Sequence, residues 1–202
     1  MASELKDILY IDCCIRGSES RTRRLARAFL DALEERGSFA VEELILTEEA
    51  LLPLQGDFFA QRERLLEAGD LDHPRFRYAR RFARADRIVV AAPFWDLSVP
   101  ALLKIYIENI SVQGITFQVD PVNNLLYGTC RADKLVFLTT RGGAYQDSPL
   151  ETGLPFIRNL SIFFGIDHFD AVAVDGLDLM VRPPEVLLQE GVDRARALAA
   201  EW

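Results

Sequence analysis

Histidine is scarce in this chain. The two histidines, His73 and His168, stand far apart in 202 residues, in neither H-x-x-x-H nor H-E-x-x-H spacing. A histidine-ligated metal and a histidine-based triad therefore have no support. Cysteine is nearly as rare: there are three, an odd number, which makes no disulfide framework. Cys13 and Cys14 are neighbours at the end of an expected strand, where their side chains face opposite sides and chelate poorly. Cys13 reads as a small buried hydrophobe. C-x-x-C is absent, and Cys130 falls in a loop with no evident partner. No apolar run reaches the ~18 residues of a membrane span. Acidic Glu4 and Asp7 stand where a signal peptide carries basic residues. Positive charge is also short: 23 Lys and Arg against 31 Asp and Glu leave a net charge of −8, which argues against nucleic acid as the partner. The arginines cluster at 21–27 and 75–87, where they read as solvated helix faces. Neither G-x-G-x-x-G nor G-x-x-x-x-G-K-[ST] occurs, so a Rossmann dinucleotide turn and a P-loop both lose ground. The expectation is a reduced, cytoplasmic protein with no membrane partner.

Half the residues are hydrophobic, which removes disorder from consideration, and the length suits one domain, 1–202. Apolar runs at 8–13, 41–46, 87–92, 134–139 and 168–174 predict five strands. Between them, helix-spaced patterns occupy 22–36, 99–112, 149–165 and 185–201. Runs that are apolar throughout, alternating with helices, predict an α/β fold whose parallel sheet is covered on both faces. The long polar excursion 51–87 has a break at Gly69-Asp70, and Pro74 opens a second helix. It reads as one or two helices over the sheet. In an open sheet of this kind the ligand lies beyond the carboxyl ends of the strands, near the switch in strand order. That places function at 14–22, 93–98 and 140–145.

Each of those loops carries suitable chemistry. The first, Cys14-Ile15-Arg16-Gly17-Ser18-Glu19-Ser20-Arg21-Thr22, empties a strand into a helix. Backbone N–H groups and the positive end of the helix dipole converge there, as a phosphate requires, with the Ser20 and Thr22 hydroxyls and the Arg16 and Arg21 charges at hand. Ser20 is equally suited to be an ordinary N-cap. The second loop, Pro93-Phe94-Trp95-Asp96-Leu97-Ser98, sets two aromatics at a strand end before a helix capped by Ser98, with Pro100 just inside it. Such a platform offers amide N–H groups to the edge of a planar heterocycle, or else packs under a neighbouring helix. In the third, Thr140-Arg141-Gly142-Gly143, paired glycines permit close approach of a ligand, or simply a tight turn.

Taken together, Cys14-Ile15-Arg16-Gly17 with Ser20-Arg21-Thr22, the 92–100 run, Leu103-Lys104-Ile105-Tyr106, Gly114-Ile115-Thr116-Phe117, Thr140-Arg141-Gly142-Gly143 and Phe163-Phe164-Gly165-Ile166 resemble, in order and over nearly the whole chain, the flavodoxin-like FMN-dependent NAD(P)H oxidoreductases. The bacterial azoreductases, also called FMN-dependent NADH:quinone reductases, look most similar. The resemblance implies a single flavodoxin-like domain with a five-stranded parallel sheet of order 2-1-3-4-5 and a bound FMN. NADH or NADPH would be the co-substrate, and quinones and azo compounds the acceptors in a ping-pong cycle. It further implies a homodimer with active sites shared across the interface. By the same resemblance Ser20, Arg21 and Thr22 hold the FMN phosphate, with Cys14 near it. Phe94, Trp95, Asp96 and Leu97 run along the isoalloxazine, and Thr140, Arg141, Gly142 and Gly143 meet its pyrimidine edge. Catalysis belongs to the flavin, so no catalytic side chain is expected. Cys14 replaces the family's common serine, and Phe94-Trp95-Asp96 its common Met-Tyr-Asn. A non-catalytic electron carrier, or a member that has lost its flavin, remains the alternative.

Overall fold

A computed structural model describes residues 5–202, so Glu4 lies outside the described residues. In chain order the elements are β1 (Lys6–Asp12), α1 (Arg21–Glu34), β2 (Phe39–Ile45), α2 (Gly56–Glu67), α3 (Arg77–Arg84), β3 (Arg87–Ala91), α4 (Ala101–Ile110), β4 (Phe117–Asp120), β5 (Leu125–Gly128), β6 (Lys134–Thr140), α5 (Gly153–Phe163), β7 (His168–Val174) and α6 (Pro184–Glu201). Five strands pair in parallel in the order β2-β1-β3-β6-β7. Counting only these strands, that is the expected 2-1-3-4-5, with the order reversing between β1 and β3.

Strand faces divide the core in two. Leu9, Ile11, Val90 and Phe137 pack under α3, α4 and α5 through Phe82, Leu103, Ile107 and Ile157. Ile8, Tyr10, Val89 and Val136 meet α1 and α6 through Leu25, Phe29, Leu188 and Ala195. Cys13 belongs to the first cluster and Cys14 to the second, as the alternation of a strand requires. Continuous burial holds for β1, β3 and β6, whereas β2 and β7 at the edges are only partly buried. The charged Glu42 and Glu43 of β2 reach solvent because nothing flanks that edge.

Three local differences bear on the site. The excursion after β2 forms two helices, but only α3 covers the sheet fully, through Tyr78, Ala79 and Phe82. Helix α2 buries no residue completely and contributes half-buried Leu65 and Leu66. Ser98 does not cap α4; Pro100 holds that position, while Ser98 exchanges backbone hydrogen bonds with Trp95 (3.1 and 2.8 Å) across a tight turn. Helix α5 begins at Gly153, not at 149, because Ser148 folds the preceding residues into a turn, its carbonyl accepting from Glu151 N–H (3.0 Å) and its hydroxyl from Leu150 N–H (3.2 Å).

The β4–β5 hairpin was not expected as strands. Asp120 accepts from the N–H groups of Val122 (2.9 Å) and Asn123 (3.2 Å), and Asn124 takes φ +51° to close the turn. The hairpin docks where Gly128 meets the end of α5. A Cβ on Gly128 would lie 1.8 Å from the Phe164 carbonyl carbon, so only glycine fits.

Candidate functional site

β1 runs out at Asp12, whose fully buried carboxylate organises the turn that follows. It accepts from Tyr10 OH (3.1 Å), Cys14 N–H (2.8 Å) and Arg23 Nε (2.7 Å). Three donors, one of them cationic, offset the cost of burying that charge. Burial and the Asp12 charge together push the Tyr10 phenol far above its ordinary range, so it stays a donor. Burial raises the Cys14 thiol as well, and Asp12 adds to the effect. Gly17, at φ +57°, then turns the chain into α1.

Ser20 caps that helix, its Oγ accepting from Arg23 N–H at 3.2 Å. Ser20 is thus an ordinary N-cap, and it also lines the cavity at the mouth of α1. The N–H groups of Arg21 and Thr22 begin the helix with no intrahelical acceptor, and the dipole adds positive potential there. The Thr22 hydroxyl lies 2.6 Å from the Thr140 hydroxyl, which ties the first loop to the end of β6.

The loop after β3 is pinned at both ends. Phe94 N–H donates to Thr140 O (3.1 Å), and Leu97 O accepts from the Thr152 N–H (3.0 Å) and hydroxyl (2.6 Å). Between these anchors Asp96 and Leu97 take φ +48° and +67°. Two successive left-handed non-glycine residues are costly, of order 1–3 kcal/mol each, and persist only where surrounding bonds hold them. Here the Trp95–Ser98 and Thr152–Leu97 bonds do so. Phe94 packs on Tyr145, ring centroids 4.7 Å apart, while Trp95 and Leu97 stand exposed.

The third loop pairs with the segment after β7. Gly142 O accepts from Asp178 N–H (2.9 Å), and Gly143 O from Gly176 N–H (2.9 Å). Arg141 is buried, with ion pairs to Glu151 (3.2 Å) and Asp175 (3.1 Å) and its guanidinium 5.5 Å from the Phe94 ring centre. Its charge is therefore already countered and braces the loop.

These pieces enclose one cavity of ≈ 510 Å³. Of the residues expected at the site, Ser20, Arg21, Thr22, Phe94, Trp95, Asp96, Leu97, Thr140, Arg141, Gly142 and Gly143 all line it. Cys14 does not: its side chain turns into the core under α1, where its Sγ lies 3.9 Å from Ala91 O. Arg21 reaches the wall but donates to Asp178 at 2.7 Å. Tyr145 lies in the third expected loop, though without an assigned role, and Leu177 and Asp178 lie outside all three loops; all three residues line the cavity. The end of β7, marked by Asp175-Gly176, was the available signal for the last two. Among the described residues no group of three or more His, Cys, Asp or Glu side chains suits a metal.

The shape suits FMN. The first-turn N–H groups of α1 and the Ser20 and Thr22 hydroxyls gather at its mouth, a strained loop backbone runs along one wall, and Gly142 presents no side chain on the other. A Cβ there would lie 2.3 Å from an Asp178 oxygen and would push that carboxylate aside.

The sequence pattern of the flavodoxin-like fold matches residues 6–198. An FMN-dependent NADH:quinone oxidoreductase of Clostridium perfringens is 32% identical, over 98% of this chain and 100% of its own. The FMN-dependent NADH:quinone oxidoreductase 2 of Clostridium acetobutylicum is 34% identical over 91% of this chain and 92% of its own. Among solved structures, an azoreductase from Bacillus anthracis superposes with a TM-score of 0.86 at 23% identity, covering 98% of this chain and 100% of that one. A second B. anthracis protein, an FMN-dependent NADH-azoreductase in complex with FMN, gives 0.82 at 17% identity, covering 98% and 99%. At these identities the structural likeness speaks for the fold, and the sequence likeness for the family. The chain belongs to the flavodoxin-like family of FMN-dependent NADH:quinone oxidoreductases.

Proposed function

We propose that this protein is an FMN-dependent NADH:quinone oxidoreductase that also takes azo compounds, and that it works as a cytoplasmic homodimer. One observation carries the reading: the loops after β1, β3 and β6 meet around a single cavity, with anion-binding donors at one end and a backbone platform at the other. FMN held there would supply the redox chemistry, two-electron transfer between NADH and the acceptor.

The chain's own residues bind, orient and shield. Ser20, Thr22 and the N–H groups of Arg21 and Thr22 hold the phosphate, with Arg16 and Arg21 countering its charge. The backbone of residues 94–97 offers polar groups to the ring edge, fixed in place because Thr152 holds Leu97 O. Gly142 and Gly143 keep the facing wall flat, and the Thr22–Thr140 contact holds the two walls together. The lining contains no histidine or cysteine, in keeping with chemistry that needs no nucleophile or proton relay from the protein. Relatives at 32% and 34% identity are named for NADH, which favours NADH over NADPH as the donor. The exposed Trp95 and Leu97 at the rim, with exposed Leu125, Leu126 and Tyr127 on the hairpin, support an apolar contact with a second copy. Among the described residues no helix is long and apolar enough to cross a membrane; the three cysteines are free thiols, as a reducing compartment would keep them.

Steady-state kinetics test this. One cavity must serve donor and acceptor in turn, so FMN-loaded protein should oxidise NADH with quinone and give parallel double-reciprocal lines. Failure to oxidise NADH would leave an electron carrier. Sedimentation should show about twice the 22.8 kDa chain mass; a single-chain species would overturn the dimer.

A further inference from the structure

The charges around the cavity leave a phosphate fewer cations than their number suggests. Arg16, Arg21 and Arg141 line it, as do Glu19, Asp96 and Asp178. Arg141 is buried against Glu151 and Asp175 and has no charge to spare. Of the remaining two, Arg21 stands at the first turn of α1, where an anion would enter. Its Nη1 donates to Asp178 Oδ1 at 2.7 Å and approaches Leu177 O at 3.5 Å. Asp178 is set there by the fold, because its N–H donates to Gly142 O at 2.9 Å and its other carboxylate oxygen sits over Gly142. The Arg21–Asp178 pair thus links two walls of the cavity, across the place where the N–H groups of α1 open.

We propose that Asp178 is a specificity-determining residue that competes with the FMN phosphate for Arg21 and so lowers the protein's affinity for FMN. A dianion that takes Arg21 must release Asp178, and a carboxylate without its cation then stands beside the phosphate. Both effects oppose binding. The pair is well exposed, with side-chain exposures of 38% and 68%, so water and salt weaken it and a phosphate can displace it. Riboflavin, which lacks the phosphate, does not need Arg21 and should be indifferent to the pair. Asp178 therefore tunes the contrast between phosphorylated and unphosphorylated flavin.

This inference rests on the FMN reading above, and titration of the apoprotein separates the two. Quenching of flavin fluorescence gives Kd for FMN and for riboflavin in the wild type, Asp178→Asn, Arg21→Gln and the double variant. Binding of FMN by the wild type tests the reading itself. Asp178→Asn keeps the side-chain size and the backbone bond while removing the charge. It should tighten FMN roughly tenfold, chiefly because Arg21 is freed for the phosphate, with a smaller part from losing a like charge beside the dianion. Riboflavin should change less than about twofold, and in the Arg21→Gln background the gain should fall below about threefold. Unchanged or weaker FMN binding by Asp178→Asn would overturn the proposal. So would an equal gain for riboflavin, as would a full gain without Arg21, which would make Asp178 a repelling charge and not a competitor.

Discussion

Arg141→Met removes from the cavity wall the cation that Glu151 and Asp175 share. Arg141 is 4% exposed, and Glu151 and Asp175 expose 10% and 20% of their side chains. Removing one member of a buried ion pair costs about 3–5 kcal/mol, because the uncompensated charge stays behind. The carboxylates here keep part of their support: Glu151 accepts from Leu154 N–H at 2.8 Å, and Asp175 from the N–H groups of Tyr145 and Gln146 at 2.7 Å. That lowers the expected loss to about 2–3 kcal/mol, or about 4–12 °C in Tm for a domain of this size. Arg141→Lys retains the charge but not the fork that reaches both partners, so it should lose about half as much. Urea unfolding followed by circular dichroism at pH 7 measures both variants. High salt should change the differences little, since the pair is screened from solvent. An Arg141→Met protein within ~0.5 kcal/mol of the wild type would refute the reasoning that Arg141 braces the cavity.

Two further perturbations probe the frame around the site. Gly128→Ala sets a methyl group 1.8 Å from the Phe164 backbone, which cannot turn aside as a side chain would. The hairpin must lift off α5, with an expected loss of at least about 2 kcal/mol in a urea titration; wild-type stability would contradict the packing described. On the opposite edge, the two-pronged Arg27–Glu43 pair holds Glu43 below its ordinary carboxylate range. A depressed folded-state value adds stability above the unfolded value and loses it as pH falls through the folded one. The Tm gap between wild type and Glu43→Gln should therefore be widest above about pH 5 and close towards about pH 3, and a constant gap would count against the pair.

Most of the fold was legible because parallel strands buried on both faces leave uninterrupted apolar runs, and β1, β3 and β6 are of that kind. β2 was legible with less reason, since as an edge strand it carries the exposed pair Glu42-Glu43 in the middle of its apolar run. The hairpin was not legible: its strands are four residues each and largely exposed, and nothing in Val119 or Leu126 signals an antiparallel pair. At the site, the rule that ligands sit beyond strand ends located three loops before any side chain was considered, and eleven of the twelve residues named line the cavity. Cys14 is off the lining because a residue at the end of β1 must choose a face, and its face is the α1 core. Asp178 and the buried partners of Arg141 were illegible for another reason. They act across chain separations of 157, 10 and 34 residues from Arg21 and Arg141, and no local pattern records such pairings.

The most direct test of the central claim is a visible absorption spectrum of the protein incubated with FMN and freed of excess, then mixed with NADH without oxygen. The account predicts flavin bands that stay with the protein, bleach on adding NADH and return on adding a quinone. A protein that emerges colourless, or whose flavin bands NADH leaves untouched, would contradict it.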